Sequence, residues 1–262
     1  DVCSSDLAIP DKLYIPLTDI RMLTKVDLLM LEMLANCNWE RPLYLAISVG
    51  SVSKLKFDNY FVQEGLAFRF TPFDYKKWGD VGENRLYAVD VERLYDNVMN
   101  RYKYGGLDTP GLYLDETTLR TCWYHRRLFA QLAKELIAQG DNERAKKVLA
   151  YAEQVIPGYN VPETHESGSY DIATAYAALG EKTKAVTLAV HLIAEAEDYI
   201  NWAFSLKGNR IEMVRNDCIY KFWQWNQYNE LLKKIDGEKY KESNRQFEEK
   251  YALFAPTMNY KN

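Results

Sequence analysis

The chain has 262 residues, a formal net charge of −4 and a hydrophobic content of 47%. That length suits one large domain or two modest ones with a real core. The acidic balance argues against a nucleic-acid-binding protein, which normally carries a basic face. No apolar run approaches the ~18 residues that a membrane helix needs, so the segment is expected to be soluble.

The first residues are set apart from the rest. The chain begins with Asp1 rather than methionine, and residues 1–7 are typical of a translated sequencing adapter. We therefore predict that residues 1–7 are a non-native leader on a fragment or a processed product, and they do not enter the fold.

Residues 8–89 are predicted to form a small α+β module. Thr24 and Asp27 have the spacing of a helix cap, and Pro42 prevents the helix from continuing. A continuous apolar run indicates a buried strand, and alternating apolar residues indicate a half-buried one. The expected elements are a helix over 24–35, a buried strand over 43–49, a short helix over 57–63 ending near Gly65, a strand over 66–70, a loop over 71–84 and a third strand over 85–89.

Residues 90–262 are predicted to form a tetratricopeptide-like antiparallel helical array. Gly140, Ala145, Ala152 and Pro157 stand at the offsets of such a helix hairpin, in which small residues allow close packing and proline ends the second helix. A second, degenerate hairpin follows with Gly180. The expected helices begin at Asp90 (stopped by Gly105 and Gly106) and cover 115–139, 142–156, 168–179 and 182–197, with two more over 201–255 broken near Gly208 and Asp236. The predicted fold class is therefore mainly α.

Three blocks in this order carry a resemblance to a known family: Asn36 to Leu45, Phe61 to Pro72, and Val89 to Met99. With the hairpins, they resemble the soluble C-terminal region of bacterial multi-spanning membrane proteins of the protein O-mannosyltransferase-like kind, over about residues 16–206. The resemblance implies an extracytoplasmic, periplasmic tail of a lipid-linked-sugar glycosyltransferase whose catalytic acidic residues lie in the absent membrane part. No catalytic residue is therefore carried over to this chain.

Reactive side chains are scattered. His125, His165 and His191 are far apart, and His125 is expected on a solvated face beside two arginines. The four cysteines lack zinc-ligand spacing and are expected to be buried thiols rather than a disulfide. Asp115 and Glu116 are neighbours at a helix start, where capping is their simplest role. We predict no metal site, no cofactor and no catalytic residue.

Binding candidates are aromatic or basic. Phe222, Trp225 and Tyr228 are spaced by three residues and share a helix face, whereas Trp223 points away from it. This aromatic group either fills a core or offers a surface to a sugar or partner. Arg41 either grips a phosphate or carboxylate, or forms a structural ion pair with Glu64 or Asp90. The candidate binding residues are Trp223, Trp202, Tyr228 and Arg41.

These patterns lead to two expectations of function. The first is a non-catalytic accessory domain that binds a glycan, an acceptor protein or a partner such as its own membrane-spanning region. The second is a free-standing helical-repeat scaffold for protein interaction. Neither involves nucleic acid.

Overall fold

The computed structural model describes residues 12–15, 17, 20–49, 55, 58–74, 87–206 and 210–258. The chain divides into two compact units, Asp1–Lys103 and Tyr104–Asn262. The first is a small α+β module and the second is helical, which confirms the mainly α fold class. The helix that Asp90 caps belongs to the first unit.

The first unit combines one helix with a small sheet and ends in a second helix. The helix is α1 (Lys25–Asn36), and a four-stranded sheet follows in the spatial order β1-β3-β2-β4. Strand β3 pairs antiparallel with β1 and with β2, whereas β2 and β4 are parallel. The bounds are β1 Tyr44–Ala46, β2 Phe61–Gln63, β3 Ala67–Phe70, β4 Ala88–Val89 and α2 Val91–Asp96, which continues as a π-helical turn over Asn97–Arg101.

The two helix caps of this unit were predicted correctly. Thr24 and Asp27 form a reciprocal capping box at the start of α1. The Asp90 side chain accepts a hydrogen bond from the Arg93 amide and caps α2. Both caps satisfy amides that the first helical turn would otherwise leave without partners.

Two strand assignments differ from the sequence prediction. The strand expected to be buried over 43–49 is only β1, an edge strand whose Tyr44 and Ala46 are exposed, because β3 pairs with it on one side alone. The helix expected over 57–63 is wrong: a 3₁₀ turn (Asp58–Tyr60) leads into β2, which is buried. Pairing with both β3 and β4 outweighs the local pattern. Residues 75–86, which include most of the loop predicted over 71–84 and the start of the strand predicted over 85–89, lie outside the described ranges.

The core of the first unit is aromatic. Phe61 and Phe70 meet edge to face, with ring centroids 5.4 Å apart, and they form the buried centre together with Leu55. Aliphatic side chains of α1 (Met30, Leu31 and Leu34) pack against this centre. The sheet and α1 therefore stabilise each other through one hydrophobic layer.

The second unit is built of helices packed in sequence. Helix α3 contacts α4 and α5, α6 contacts α5 and α8, and α8 contacts α9. The bounds are α3 Glu116–Ala138, α4 Asn142–Val155, α5 Ser169–Ala178, α6 Lys182–Ser205, α7 Arg210–Met213, α8 Arg215–Ile235 and α9 Gly237–Met258.

The two predicted hairpins have the same corner. Gly140 has φ 80° and Gly180 has φ 79°, the left-handed conformation that ends a helix and favours glycine. The amide of Asp141 then bonds the carbonyl of Leu136 at 2.8 Å, and the amide of Glu181 bonds that of Tyr176 at 2.9 Å. Ala145, Ala152 and Ala185 are buried, as close helix packing requires. The helix–corner–helix pattern is confirmed in both places.

The last helices differ in extent from the prediction. Helix α6 continues to Ser205, so Trp202 lies on it rather than on a following helix. The break at Asp236 is confirmed, since α8 ends at Ile235 and α9 begins at Gly237. Gly208 lies outside the described residues.

Candidate functional site

The three sequence blocks that carry the family resemblance meet at Glu64. This side chain is buried and accepts a hydrogen bond from the Tyr44 hydroxyl at 3.1 Å. Arg93 of α2 donates to it at 2.9 Å, and Arg69 of β3 lies 2.7 Å away. The Glu64 carbonyl accepts from the Asn97 amide group at 2.7 Å. One carboxylate thus ties the edge strand β1, the inner strand β3 and the helix α2 together.

The charges at this centre are balanced. Arg93 also approaches the Asp90 carboxylate at 3.4 Å, so two guanidinium groups face two carboxylates. Glu64 and Asp90 were the expected partners of Arg41, but they pair with Arg69 and Arg93 instead. Arg41 is exposed and belongs to the first unit. The Glu64 centre therefore braces the fold and leaves no unbalanced charge for a ligand.

The second candidate is the pair of rings Tyr220 and Trp223 on α8, which we call the aromatic surface. The rings are nearly parallel, at 13°, with centroids 5.6 Å apart, and both side chains are about half exposed. Phe222 and Trp225 are buried on the other side of the helix. The three-residue spacing therefore predicted correctly which tryptophan faces outward.

His165 supports the aromatic surface from the loop between α4 and α5. Its ring meets Tyr220 and Trp223 edge to face, with centroids 6.1 and 5.7 Å away. Its Nδ1 lies 2.8 Å from the hydroxyl of buried Tyr228, and Tyr170 stacks on it at 5.9 Å. Burial lowers the pKa of His165, which favours a neutral imidazole. Tyr228, a binding candidate, thus lies beneath the surface and helps to hold it.

Hydrogen-bonding groups lie beside these rings. Glu166, next to His165, accepts from the Gln224 amide group at 3.1 Å. Lys221, between Tyr220 and Phe222 in sequence, bonds Glu195 at 3.3 Å. An exposed aromatic face with fixed polar neighbours is the arrangement that orients a polar ring-shaped ligand.

Trp202 belongs to a different aromatic pair. It packs on Tyr199 of the same helix, with ring centroids 5.2 Å apart, and is as exposed as Trp223. The Tyr199 hydroxyl donates a hydrogen bond to Asp217. Burial, and to a lesser extent this carboxylate, raises the pKa of Tyr199 to about 12. Of the four binding candidates, Trp223 and Tyr228 are connected through His165, whereas Trp202 packs on Tyr199 and Arg41 belongs to the first unit.

Sequence reasoning missed Tyr220 and His165. Tyr220 precedes Trp223 by three residues, so helical spacing was the signal that could have found it. His165 stands 63 positions before Tyr228 and showed no local signal. Only the packing of the α4–α5 loop against α8 brings it to the rings.

A cleft of about 400 Å³ lies in the second unit, between the end of α4, α5 and the first half of α6. Its charged members are Arg126, Lys184, Glu153 and Glu163, and the Lys184 ammonium bonds Glu153 at 2.8 Å. Tyr176 donates to the same carboxylate at 2.5 Å. Apolar side chains line the rest. The formal charges balance, so the cleft favours neither a cation nor an anion.

Arg126 at this cleft is buried, so the solvated face expected for this part of α3 is wrong. Its guanidinium donates to the carbonyls of Ile156, Val161 and Pro162 at 2.6 to 3.0 Å and to Ser167 at 3.1 Å. Burial lowers its pKa to about 10. His125 is half-buried as well, because α3 packs against both α4 and α5. Arg126 therefore holds the α4–α5 loop that carries His165.

Asp115 and Glu116 stabilise the start of a helix, and the cysteines of the described residues are free thiols. Asp115 caps α3 and Glu116 pairs with Arg120 at 2.5 Å, as expected of a helix start. Cys37, Cys122 and Cys218 are free, and burial raises the pKa of the latter two thiols. Across the described ranges, no three His, Cys, Asp or Glu side chains are grouped to hold a metal ion.

Comparison with known protein families gives a match over part of the chain. The model of a family described as TMEM260-associated domain 2 matches residues 2–92. That range includes Tyr44, Glu64 and Arg69 of the Glu64 centre and ends just before Arg93. This links the first unit to a TMEM260-like family. No curated protein and no solved structure matches the chain significantly. Within the described residues, no helix has the length and apolar character needed to cross a bilayer.

Proposed function

We propose that this chain is a non-catalytic, extracytoplasmic accessory region of a TMEM260-like membrane glycosyltransferase of the O-mannosyltransferase kind, and that it binds a glycan. The family match over residues 2–92 and the sequence resemblance support the parent. The observation that carries the binding role is the parallel, half-exposed pair Tyr220 and Trp223. Catalysis belongs to the membrane-spanning part of the parent in this proposal.

The aromatic surface has the physical properties that sugar binding needs. The C–H groups of a pyranose ring carry partial positive charge and pack on the electron-rich face of an aromatic ring. The Tyr220 and Trp223 rings lose little conformational entropy on binding, because His165 already packs against both of them. Glu166, held by Gln224, offers an acceptor for sugar hydroxyls nearby.

The binding experiment uses the whole chain, with methyl α-mannoside and a mannose trisaccharide as probes in isothermal titration and in ¹H–¹⁵N NMR. Trp223→Ala and Tyr220→Ala should each weaken trisaccharide binding about tenfold, since an aromatic contact contributes on the order of 1 kcal/mol or more. Trp202→Ala removes an equally exposed tryptophan, and Tyr113→Ala removes a highly exposed tyrosine. Both controls should bind like the wild type. Equal binding by all four variants, or none by the wild type, would refute glycan recognition at this surface.

The alternative is a free-standing helical-repeat scaffold that binds protein. The identical glycine corners of the two hairpins favour it, because such repeats are commonly used for protein interaction. The genomic DNA sequence upstream of the codon for Pro16 distinguishes this alternative from the membrane-parent proposal. Several hydrophobic spans in frame support the membrane parent, whereas a start codon near Pro16 supports the scaffold.

A further inference from the structure

Helix α1 has an apolar face that the first unit leaves uncovered. Val26, Leu29 and Met33 follow one another at spacings of three and four residues, and we call them the α1 stripe. Their exposed fractions are 42%, 62% and 54%. Met22 just before the helix is exposed to a similar degree, as is Leu28, which lies about 100° around the helix from Leu29.

The stripe is separate from the core-facing side of the same helix. Met30, Leu31 and Leu34 pack against Phe61 and Phe70 in the centre of the first unit. A helix that is apolar both inward and outward normally has a second apolar neighbour. Five large aliphatic side chains exposed within twelve residues are more than the scattered surface leucines of an ordinary soluble domain.

The size of the stripe argues against a second protein surface as that neighbour. Helix α1 has 12 residues, about 18 Å at 1.5 Å per residue. Coiled-coil pairing normally extends over at least three heptads, about 21 residues. A stable dimer buries about 800 Å² on each partner, and five half-exposed aliphatic side chains supply well below that area.

The chemistry around the stripe matches a membrane interface. Arg21 and Lys25 are exposed at the N-terminal end of α1, next to the positive end of the helix dipole. Glu32, the exposed carboxylate on α1 itself, accepts a hydrogen bond from Asn36 at 2.9 Å. An aliphatic helix face beside basic side chains is typical of helices that lie on a bilayer.

We infer that the α1 stripe docks on the surface of a lipid bilayer, with α1 lying parallel to the membrane plane and its aliphatic side chains among the acyl chains. Arg21 and Lys25 then meet anionic headgroups. This role requires no spanning helix, and it does not depend on the aromatic surface of the second unit or on any glycan.

The test is co-sedimentation of the whole chain with vesicles of pure phosphatidylcholine and of phosphatidylcholine with phosphatidylglycerol. Wild-type protein should pellet with both, and more with the anionic vesicles. The double variant Leu29→Glu/Met33→Glu should partition at least about tenfold less. Met213→Glu, which alters an exposed methionine of the second unit, is the matched control and should partition like the wild type. Thermal melts check that each variant is folded.

Three results would overturn the inference. The wild type does not pellet with either vesicle, the double variant pellets as well as the wild type, or sedimentation velocity shows a dimer that the double variant dissociates. The last result would assign the stripe to a second copy of the chain. Loss of glycan binding by Trp223→Ala has no bearing on any of these readouts, so the two proposals fail independently.

Discussion

The hydroxyl of Tyr44 donates a hydrogen bond to the carboxylate of Glu64, 3.1 Å away and 20 positions later in the chain. Tyr44 lies in the first of the sequence blocks that carry the family resemblance, and Glu64 stands in the next. Arg93, from the third block, reaches the other oxygen of the same carboxylate. The blocks therefore share a structural purpose, which is to join an edge strand, a turn and a helix at one buried charge.

Replacing Glu64 by alanine should destabilise the first unit by about 2–4 kcal/mol, because Arg69 loses its carboxylate partner and Arg93 is left with Asp90. This loss of stability is smaller than the largest losses seen for buried ion pairs, because the Arg93 side chain is 47% exposed. Tyr44→Phe removes a single hydrogen bond and should cost about 1 kcal/mol. Urea titration of each variant, with hydrogen exchange of the β2 and β3 amides as the readout, measures both losses of unfolding free energy. Equal losses in the two variants would contradict the ion-pair explanation.

The two alanines of α4 should respond differently to enlargement. Ala145 is fully buried, so Ala145→Leu should cost about 1–3 kcal/mol through overpacking. Ala152 lines the cleft of about 400 Å³, which has room for extra methyl groups, so Ala152→Leu should cost less than about 1 kcal/mol. Thermal melts of both variants provide the comparison. A larger loss at position 152 than at 145 would mean that the cleft does not accommodate the side chain.

Substitution of the two tryptophans of α8 should affect stability differently, because one lies in the core and the other on the surface. Trp225 is buried and its indole N–H donates to Ser243 at 2.8 Å, so Trp225→Ala should cost about 3–5 kcal/mol. Trp223 is half exposed and its ring contacts Tyr220 and His165, so Trp223→Ala should cost about 1 kcal/mol. Chemical denaturation measures the unfolding free energy of both variants. If Trp223→Ala lowers it as much as Trp225→Ala does, the aromatic surface is part of the core.

Mild acid should weaken the second unit. Burial lowers the pKa of His165 and of His125 below the ordinary value of about 6.5. The unfolded chain then takes up protons first, so the free energy of unfolding falls as the pH drops below about 6.5 and levels off once the folded histidines are protonated. Carboxylates near His165 (Glu166 and Asp171) reduce the effect, and Lys221 and Arg127 increase it.

The measurement is the unfolding free energy between pH 7 and pH 5 by urea titration. His165→Gln/His125→Gln, which removes both titrating rings, should flatten the pH dependence in this range. A wild-type protein that grows more stable over the same acidification would show that the histidines are not held in the neutral form.

Much of the helical fold could be predicted because its signals are local. The capping box of Thr24 and Asp27 and the caps at Asp115 and Asp141 act within three residues, and the glycine corners act within five. Strand assignments were less reliable. The local pattern of Phe61 to Gln63 indicated a helix, yet pairing with β3 and β4 makes this segment an inner strand of the sheet.

By itself, the sequence of this protein determined the bounds of α3, α4 and α5 to within a residue, the repetition of two hairpins, and the orientation of Trp223 away from Phe222 and Trp225. Each of these depends on neighbours within a turn or two of one helix. Only the tertiary structure decided that Arg69 and Arg93, rather than Arg41, bind Glu64, and that His165 supports Tyr220 and Trp223. Those contacts join residues far apart in the chain. Their formation depends on strand pairing and helix packing, which no local pattern specifies.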